Sequence, residues 1–356
     1  MRIRVLGGVG EKGRVGFELI DEGVILDFGV KRKPHAGWDE IYPLKPLSAT
    51  SLFLSHVHTD HTGAVPLLGE IDIFTTEITA SKLKDYIRGW IRTCENWNIP
   101  IDEGKYRAFL ERDLRLRPFP RDWVLGSAGH VPGSVWVKIG DLLYTGDINP
   151  SSPSFDISKL PKARVLILDV AYGDEEVPGP EALLEIIEKN RGKKIVMPLP
   201  PFGRSQEILA FLLNSGVEPL FVDEEILRNS EVRCDCHDFD GSSIGVYLLT
   251  DGMMTSGKSL EFFKRFAEDE NTVFLITGYA EIGTPAHEIL KRKNGIRVIW
   301  KVHPSPSECI EIVDVVQPEF VIPFHSSFEK AENLIKNIER TGARVLKPKI
   351  GEVVDL

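Results

Sequence analysis

The chain reads as an α/β protein in two parts. A second α/β unit, residues 176–298, is inserted into a first made of residues 1–175 and 299–356. Three observations predict this. The chain opens with short apolar segments separated by glycine turns, and a later apolar segment, Ser51-Leu52-Phe53-Leu54, ends in a cluster of histidines. Beyond residue 176 helical patterns alternate with apolar strands, as a parallel sheet with crossover helices requires. A last apolar run, Val321-Ile322-Pro323-Phe324, again ends in a histidine, His325.

Taken in order, residues 2–6 alternate into Gly7-Gly8-Val9-Gly10 and are followed by Gly16-Phe17-Glu18-Leu19-Ile20 and Gly23-Val24-Ile25-Leu26-Asp27-Phe28-Gly29, a β-meander with tight turns. These glycines do not have the spacing of a dinucleotide loop. Lys31 to Pro46 is a loop, Ala64 to Leu68 opens a helix, and Ile71-Asp72-Ile73-Phe74-Thr75 is a strand. Residues 77–117 are helical in pattern, with Trp90, Ile91, Trp97 and Phe109 on the buried faces. Val124 to Asp147 returns to strands, and Val165-Leu166-Ile167-Leu168 is a strand ending in Asp169. The insert then reads helix 179–190, strand 194–198, helix 205–214, strand 219–222, strand 244–250, helix 259–266 and strand 272–276. Arg297 to Leu356 returns to complete the first sheet.

The 356 residues, 42% of them hydrophobic, suffice for a large core. No stretch is long and apolar enough to span a membrane, and Met1-Arg2-Ile3-Arg4-Val5-Leu6 is too short for a secretory signal, so cytoplasmic residence is expected. Four cysteines make no disulfide framework, and Cys234-Asp235-Cys236-His237 lacks zinc-finger spacing. A net charge of −10 argues against a broad non-specific nucleic-acid binder but not against a nuclease, whose metal ions add positive charge at the site. Basic residues gather between Lys82 and Arg121, either as a strip that tracks a phosphate backbone or as a solvated helical face.

The chemistry concentrates in His56-Val57-His58-Thr59-Asp60-His61. Imidazole and carboxylate suit a borderline divalent ion such as Zn²⁺. In an extended segment His56 and His58 share a face and reach one ion; a turn into helix redirects Asp60 and His61 toward a second. Companions are needed. His130, in Gly129-His130-Val131-Pro132-Gly133-Ser134, and Asp147, in Tyr144-Thr145-Gly146-Asp147, both follow apolar runs, where strands give way to loops.

The series H-x-H-x-D-H, G-H-x-x-G-S and Y-T-G-D resembles the metallo-β-lactamase superfamily of dinuclear zinc hydrolases, which implies an αββα sandwich and two zinc ions. Three stretches of the insert resemble the β-CASP group, its nucleic-acid-processing branch. Phe202-Gly203-Arg204-Ser205-Gln206-Glu207-Ile208-Leu209 is similar to F-x-x-G-R-x-Q-E-L. Asp251-Gly252-Met253-Met254-Thr255-Ser256-Gly257 is similar to P-G-M-x-x-S-G, with Asp251 for proline, and Thr277-Gly278-Tyr279-Ala280-Glu281-Ile282-Gly283-Thr284 to G-Y-x-x-x-G-T. The resemblance covers residues 50–327 and is nearest to the endonuclease subunit of the cleavage and polyadenylation specificity factor and to the RNase J enzymes. It implies further catalytic residues: Asp169 after a strand, followed by Tyr172-Gly173; His303 before a helix; and His325, twenty-two residues on.

A phosphodiester site needs two ions about 3.5–4 Å apart. His56, His58, His130 and Asp147 are assigned to one and Asp60, His61, Asp147 and His325 to the other, with Asp147 bridging and a hydroxide between the ions as nucleophile. His303 is the general acid for the leaving ribose oxygen, Asp169 fixes its tautomer, and basic residues of the insert hold flanking phosphates. The expected activity is a zinc-dependent ribonuclease acting on single-stranded RNA, with a homodimer compatible with the group. Three departures stand out: a short insert, His325-Ser326-Ser327 where RNase J enzymes have H-G-E, and Glu11-Lys12-Gly13-Arg14 where the group has E-V-G-R. Ser305 resembles a serine of RNase J and favours a 5′-to-3′ mode. The rival readings are a DNA nuclease of the same group, a hydrolase of small esters or thioesters, and a non-catalytic RNA-binding partner.

Overall fold

A computed structural model describes residues 1–230 and 241–356; Cys234, Cys236 and His237 lie outside the described residues. The chain divides into two compact units. One comprises Met1–Ser151, Asp156–Glu176 and His303–Leu356; the other comprises Ser152–Phe155 and Val177–Val302.

The first unit is built on two six-stranded sheets. In the first sheet the order is Val353–Asp355, Arg2–Gly7, Gly16–Leu19, Val24–Leu26, Ser51–Phe53 and Asp72–Phe74. The meander of residues 2–26 is antiparallel, and the last three strands run parallel. The second sheet runs Arg344–Val345, Phe320–Phe324, Val165–Asp169, Leu142–Tyr144, Val135–Ile139 and Val124–Ser127. The C-terminal segment thus serves both sheets. Val353–Asp355 pairs with Arg2–Gly7, while Phe320–Phe324 joins Val165–Asp169 in the second.

Strand alternation explains the layering, because successive side chains point to opposite faces. Val165 and Ile167 join Ile3, Val5, Phe17, Phe53, Tyr144 and Phe324 in a core between the two sheets. Leu166 and Leu168 point the other way, against Cys309, Ile312, Val313, Leu334 and Ile338 of the helices Pro306–Val316 and Glu332–Arg340. On the far side of the first sheet, Leu52 and Ile73 pack with Leu83, Ile87, Trp90 and Phe109. This is an αββα sandwich.

The helical pattern over 77–117 resolves into two helices, Glu77–Trp97 and Glu103–Glu111. Asn98 takes a left-handed conformation (φ 50°) and Pro100 follows, so the first helix ends there; Asp102 then caps the second. Residues 112–117 are not helical, and Leu116 bridges to Ile73 at the sheet edge. Val65–Leu68 is a 3₁₀ turn.

The second unit is a five-stranded parallel sheet, ordered Leu220–Val222, Gly245–Leu249, Lys194–Pro198, Thr272–Ile276 and Gly295–Arg297. Both faces are covered. Leu183, Ile208, Leu209 and Leu212 pack on Ile195, Met197, Leu248 and Leu275. Phe262, Ala286 and Ile289 pack on Val196, Tyr247 and Phe274. Two of the sequence motifs are structural here. Gln206 accepts from the Gly203 amide and donates to the Pro201 and Ile226 carbonyls, closing the start of the helix Arg204–Asn214. Asp251, standing where proline was expected, accepts hydrogen bonds from the amides and hydroxyls of Thr255 and Ser256 and so closes its turn.

Candidate metal centre

Six chemistry-bearing residues stand at the carboxyl ends of strands that run the same way within their sheets. Asp27 follows Val24–Leu26 and His56 follows Ser51–Phe53, a parallel pair. His130, Asp147, Asp169 and His325 follow or end Val124–Ser127, Leu142–Tyr144, Val165–Asp169 and Phe320–Phe324. Two turns are left-handed at non-glycine residues, Asp27 (φ 53°) and His325 (φ 74°). Such conformations cost about 1–3 kcal/mol each and persist where surrounding contacts over-determine them.

The ligand turn is pinned by backbone bonds. The Phe28 and Val30 amides donate to the His61 and Thr59 carbonyls, and the short helix Thr59–Thr62 swings Asp60 and His61 off the line of the strand. Gly29 lies so close that a Cβ there would stand 1.6 Å from the Asp60 carbonyl oxygen. Gly29→Ala should therefore cost about 3 kcal/mol or more, since backbone must move. Thermal unfolding checks the stability loss, and metal content should fall with it.

The donor atoms converge in two groups that share one carboxylate. His58 Nδ1 lies 3.1 Å from His130 Nε2. Asp147 Oδ2 lies 3.6 Å from His56 Nε2 and 3.5 Å from His130 Nε2. The other oxygen, Oδ1, lies 2.9 Å from His61 Nε2 and 3.2 Å from His325 Nδ1. His325 Nε2 faces Asp60 Oδ2 at 3.1 Å. Each of the sets His56/His58/His130/Asp147 and Asp60/His61/His325 offers ligand atoms within 4.8 Å of one another.

These approaches match a cation better than a hydrogen-bond network. His56 Nε2, His61 Nε2, Asp147 Oδ1 and His325 Nδ1 are buried and make no hydrogen bond. Buried polar atoms left so are rare and costly. Atoms held about 2.0–2.1 Å from a tetrahedral zinc lie roughly 3.3 Å apart, which is the spacing found.

The outward nitrogens are occupied, and Asp27 organises them. Buried completely, it accepts from the Ser55 amide at 2.7 Å, the Ser55 hydroxyl at 2.6 Å, His61 Nδ1 at 2.7 Å and the Tyr144 hydroxyl at 2.6 Å. Ser55 Oγ in turn lies 3.0 Å from His56 Nδ1. With Nδ1 engaged by Asp27 and Ser55, His61 and His56 turn Nε2 inward. Sequence reasoning passed over Asp27, Ser55 and Tyr144. The available signal was an acidic residue ending the apolar run Val24-Ile25-Leu26, as Asp169 ends Val165–Leu168. Asp27→Ala should lower zinc affinity about 10–100-fold with the fold retained, read by competition with a chromogenic chelator.

Electrostatics sort the groups. Burial, reinforced by neighbouring imidazoles, pushes His56 well down and His58 down to about 3, so both are neutral. Burial opposes charge on Asp147 too, but His325 and His61 hold it well below the usual carboxylate range. Asp60 is likewise held down against burial, chiefly by the hydrogen bond from His325. Asp147 and Asp27 overcome burial to raise His61 to about 10, and Asp147 raises His325. Carboxylates dominate that half of the site and draw positive charge into it.

Beside the centre stands a second pair. His303 Nδ1 lies 2.8 Å from Asp169 Oδ2. Asp169 also accepts from the Ile148 and Ala171 amides, and against burial His303 holds it down at about 2. The His303 ring lies 4.9 Å from that of His130 and 5.0 Å from that of His325, with Tyr172 edge-on at 5.4 Å. Ser305 has a structural task. It caps the helix Pro306–Val316 by accepting from the Glu308 amide, while Glu308 accepts from the Ser305 amide. In the basic strip, Arg88 pairs with Asp85, Lys105 with Asp102, and Arg115 and Arg117 with Asp72, as on a solvated face.

Comparison with known proteins agrees with this architecture. A family profile described as the metallo-β-lactamase superfamily matches residues 37–191, and one described as the β-CASP domain matches residues 202–289. RNase aCSPSF2 of Saccharolobus solfataricus is 25% identical over 99% of this chain and 85% of its own length. Probable RNase MJ4 of Methanocaldococcus jannaschii is 25% identical over 99% of this chain and 100% of its own. Transcription termination factor FttA of the same organism is 25% identical over 99% of this chain and 66% of its own. A crystal structure of an Enterococcus faecalis protein of unknown function shares the fold, with TM-score 0.64 at 13% identity over 100% of this chain and 99% of that one. The chain thus carries a metallo-β-lactamase superfamily domain and a β-CASP domain.

Proposed function

We propose that the chain is a zinc-dependent ribonuclease that hydrolyses RNA phosphodiester bonds. The observation that carries this reading is Asp147. Its two oxygens face two separate donor sets, one with His56, His58 and His130, the other with Asp60, His61 and His325. Such an arrangement suits a pair of divalent ions and not a single structural one. The relatives named as RNases favour RNA over DNA or small esters.

When bound, two zinc ions would activate the attacking water and offset charge on the phosphoryl oxygens. His56, His58, His130 and Asp147 would hold the first, and Asp60, His61, Asp147 and His325 the second. The chain's own residues supply the rest. His303 donates the proton to the leaving ribose oxygen from Nε2, because Nδ1 is engaged by Asp169. Asp169, ionised and fixed by two amides, keeps that tautomer and stabilises the imidazolium before transfer. The bond from phosphorus to the leaving oxygen breaks as that proton arrives. RNA is the partner of this site. Among the described residues no helix is long and apolar enough to cross a membrane.

Metal removal tests the reading. The purified protein should hold about two zinc ions per chain; chelation should abolish RNA cleavage, and zinc should restore it. Full cleavage by metal-free protein would overturn it.

A further inference from the structure

The loop after the meander, Lys31-Arg32-Lys33, carries three consecutive cations, and their surroundings differ. Lys31 pairs with Glu11, and Lys33 pairs with Glu40. Arg14, which packs nearby on the same glutamate, is also paired. Arg32 has no carboxylate partner among the described residues. Its one hydrogen bond there runs from Nη2 to Thr59 Oγ1, at 3.2 Å. Thr59 is buried and lies between His58 and Asp60, so this bond ties the guanidinium to the turn that carries the candidate ligands.

Tyr86 completes the arrangement. It projects from the helix Glu77–Trp97, and its ring centroid lies 6.0 Å from that of His58. Arg32 and Asp60 both lie close enough for their charges to reach its phenol. The chain has 53 acidic and 43 basic residues, and most cations near this site find an acid. An arginine held by a hydroxyl beside the turn that carries the candidate ligands, with a phenol near it, is arranged for an anion that arrives with the substrate. Guanidinium has five donors in a fixed fork that matches two phosphate oxygens, and one hydrogen bond to Thr59 leaves most of that fork unused.

We infer that Arg32, assisted by the Tyr86 hydroxyl, binds a phosphate of the RNA strand next to the one being cleaved. Arg32 is thus a substrate-positioning residue in the first unit. It gives this acidic chain a local grip on the nucleic-acid backbone in addition to the strip of residues 82–121, where Arg88, Lys105, Arg115 and Arg117 are already paired with acids. Backbone phosphates carry no base information, so this grip sets affinity and register and not sequence preference.

This assignment rests on the ribonuclease reading, and the experiment separates the two. A short single-stranded RNA is bound by His303→Ala protein, alone and combined with Arg32→Gln, Arg32→Lys or Tyr86→Phe, over a range of salt. Cleavage is followed in the same substitutions with His303 intact, and zinc is measured throughout. Arg32→Gln should raise KM about tenfold and leave kcat within about twofold and zinc unchanged. The slope of log Kd against log salt should shrink by about 0.7, the loss of one phosphate contact on a single strand. Arg32→Lys should keep the slope but recover only part of the affinity, because a point charge replaces a fork. Tyr86→Phe should raise KM about threefold. Unchanged KM and slope in Arg32→Gln, with wild type cleaving RNA, would overturn the role of Arg32 alone. Loss of zinc in Arg32→Gln would show that the residue only supports the ligand turn, and would overturn it too. Wild-type protein that neither binds nor cleaves RNA would overturn the ribonuclease reading and this assignment with it.

Discussion

Asp147→Ala is expected to lower RNA cleavage by more than a thousandfold, about 4 kcal/mol of transition-state stabilisation. The reason is its position between the two donor sets. Oδ2 lies within 3.6 Å of His56 and His130, and Oδ1 lies 2.9 Å from His61. Removing the carboxylate takes an anionic ligand from both sets at once. It also strips His61 and His325 of the neighbour that does most to raise their affinity for protons, leaving only Asp27 beside His61 and Asp60 and Asp169 beside His325 to offset burial. Zinc content should fall from about two per chain toward zero. Substitutions that touch one set, such as His130→Ala on one side or Asp60→Ala on the other, should leave about one ion. Elemental analysis with a cleavage assay distinguishes these results. An Asp147→Ala protein that retains both ions and cleaves normally would contradict the shared-carboxylate geometry.

His303→Ala should behave differently. Cleavage of RNA should fall about 10²–10⁴-fold, the range for loss of a positioned general acid, while both zinc ions remain. His303 meets the site through Asp169, by ring contacts with His130 and His325 and at 3.9 Å from Asp147 Oδ2, and it is not among the ligands assigned to either ion. The diagnostic readout is the leaving group. A phosphodiester with an acidic phenol leaving group needs no proton, so His303→Ala should cleave it nearly as well as wild type does. Asp147→Ala should fail on both substrates. Asp169→Asn should resemble His303→Ala in weaker form, because it disturbs the tautomer and not the proton donor itself. Equal losses on both substrates for His303→Ala would remove its role as acid.

The candidate ligands were legible because their chemistry is dense and local. His56, His58, Asp60 and His61 fall within one turn, and His130, Asp147 and His325 each follow an apolar run, a pattern that marks strand ends. The two-sheet sandwich was implied by the resemblance that these motifs carry, while the parallel sheet of the insert was legible from strands alternating with helices. Asp27 was not, because a carboxylate that works by holding other side chains has no spacing rule; only the fold brings it to Ser55, His61 and Tyr144. The break after Trp97 was hidden because Asn98 and Pro100 sit inside an otherwise amphipathic stretch. The final strand Val353–Asp355 was hidden because its half-exposed residues carry little hydrophobic signal and are placed by pairing with Arg2–Gly7. Ser305, whose resemblance to a serine of RNase J favours a 5′-to-3′ mode, places its hydroxyl at the cap of the helix Pro306–Val316.

The most direct test of the central claim is cleavage of one RNA prepared in two forms, 5′-labelled with a monophosphate and internally labelled, beside a DNA of the same sequence. Wild type is compared with Asp60→Ala and His303→Ala. Zinc-dependent cleavage of the RNA, absent at Asp60→Ala and strongly reduced at His303→Ala, is the predicted result. Internal fragments would mark endonucleolytic action, and mononucleotides released only from the 5′-phosphorylated form would mark exonucleolytic action. A wild-type protein that holds two zinc ions and leaves the RNA intact would contradict the account.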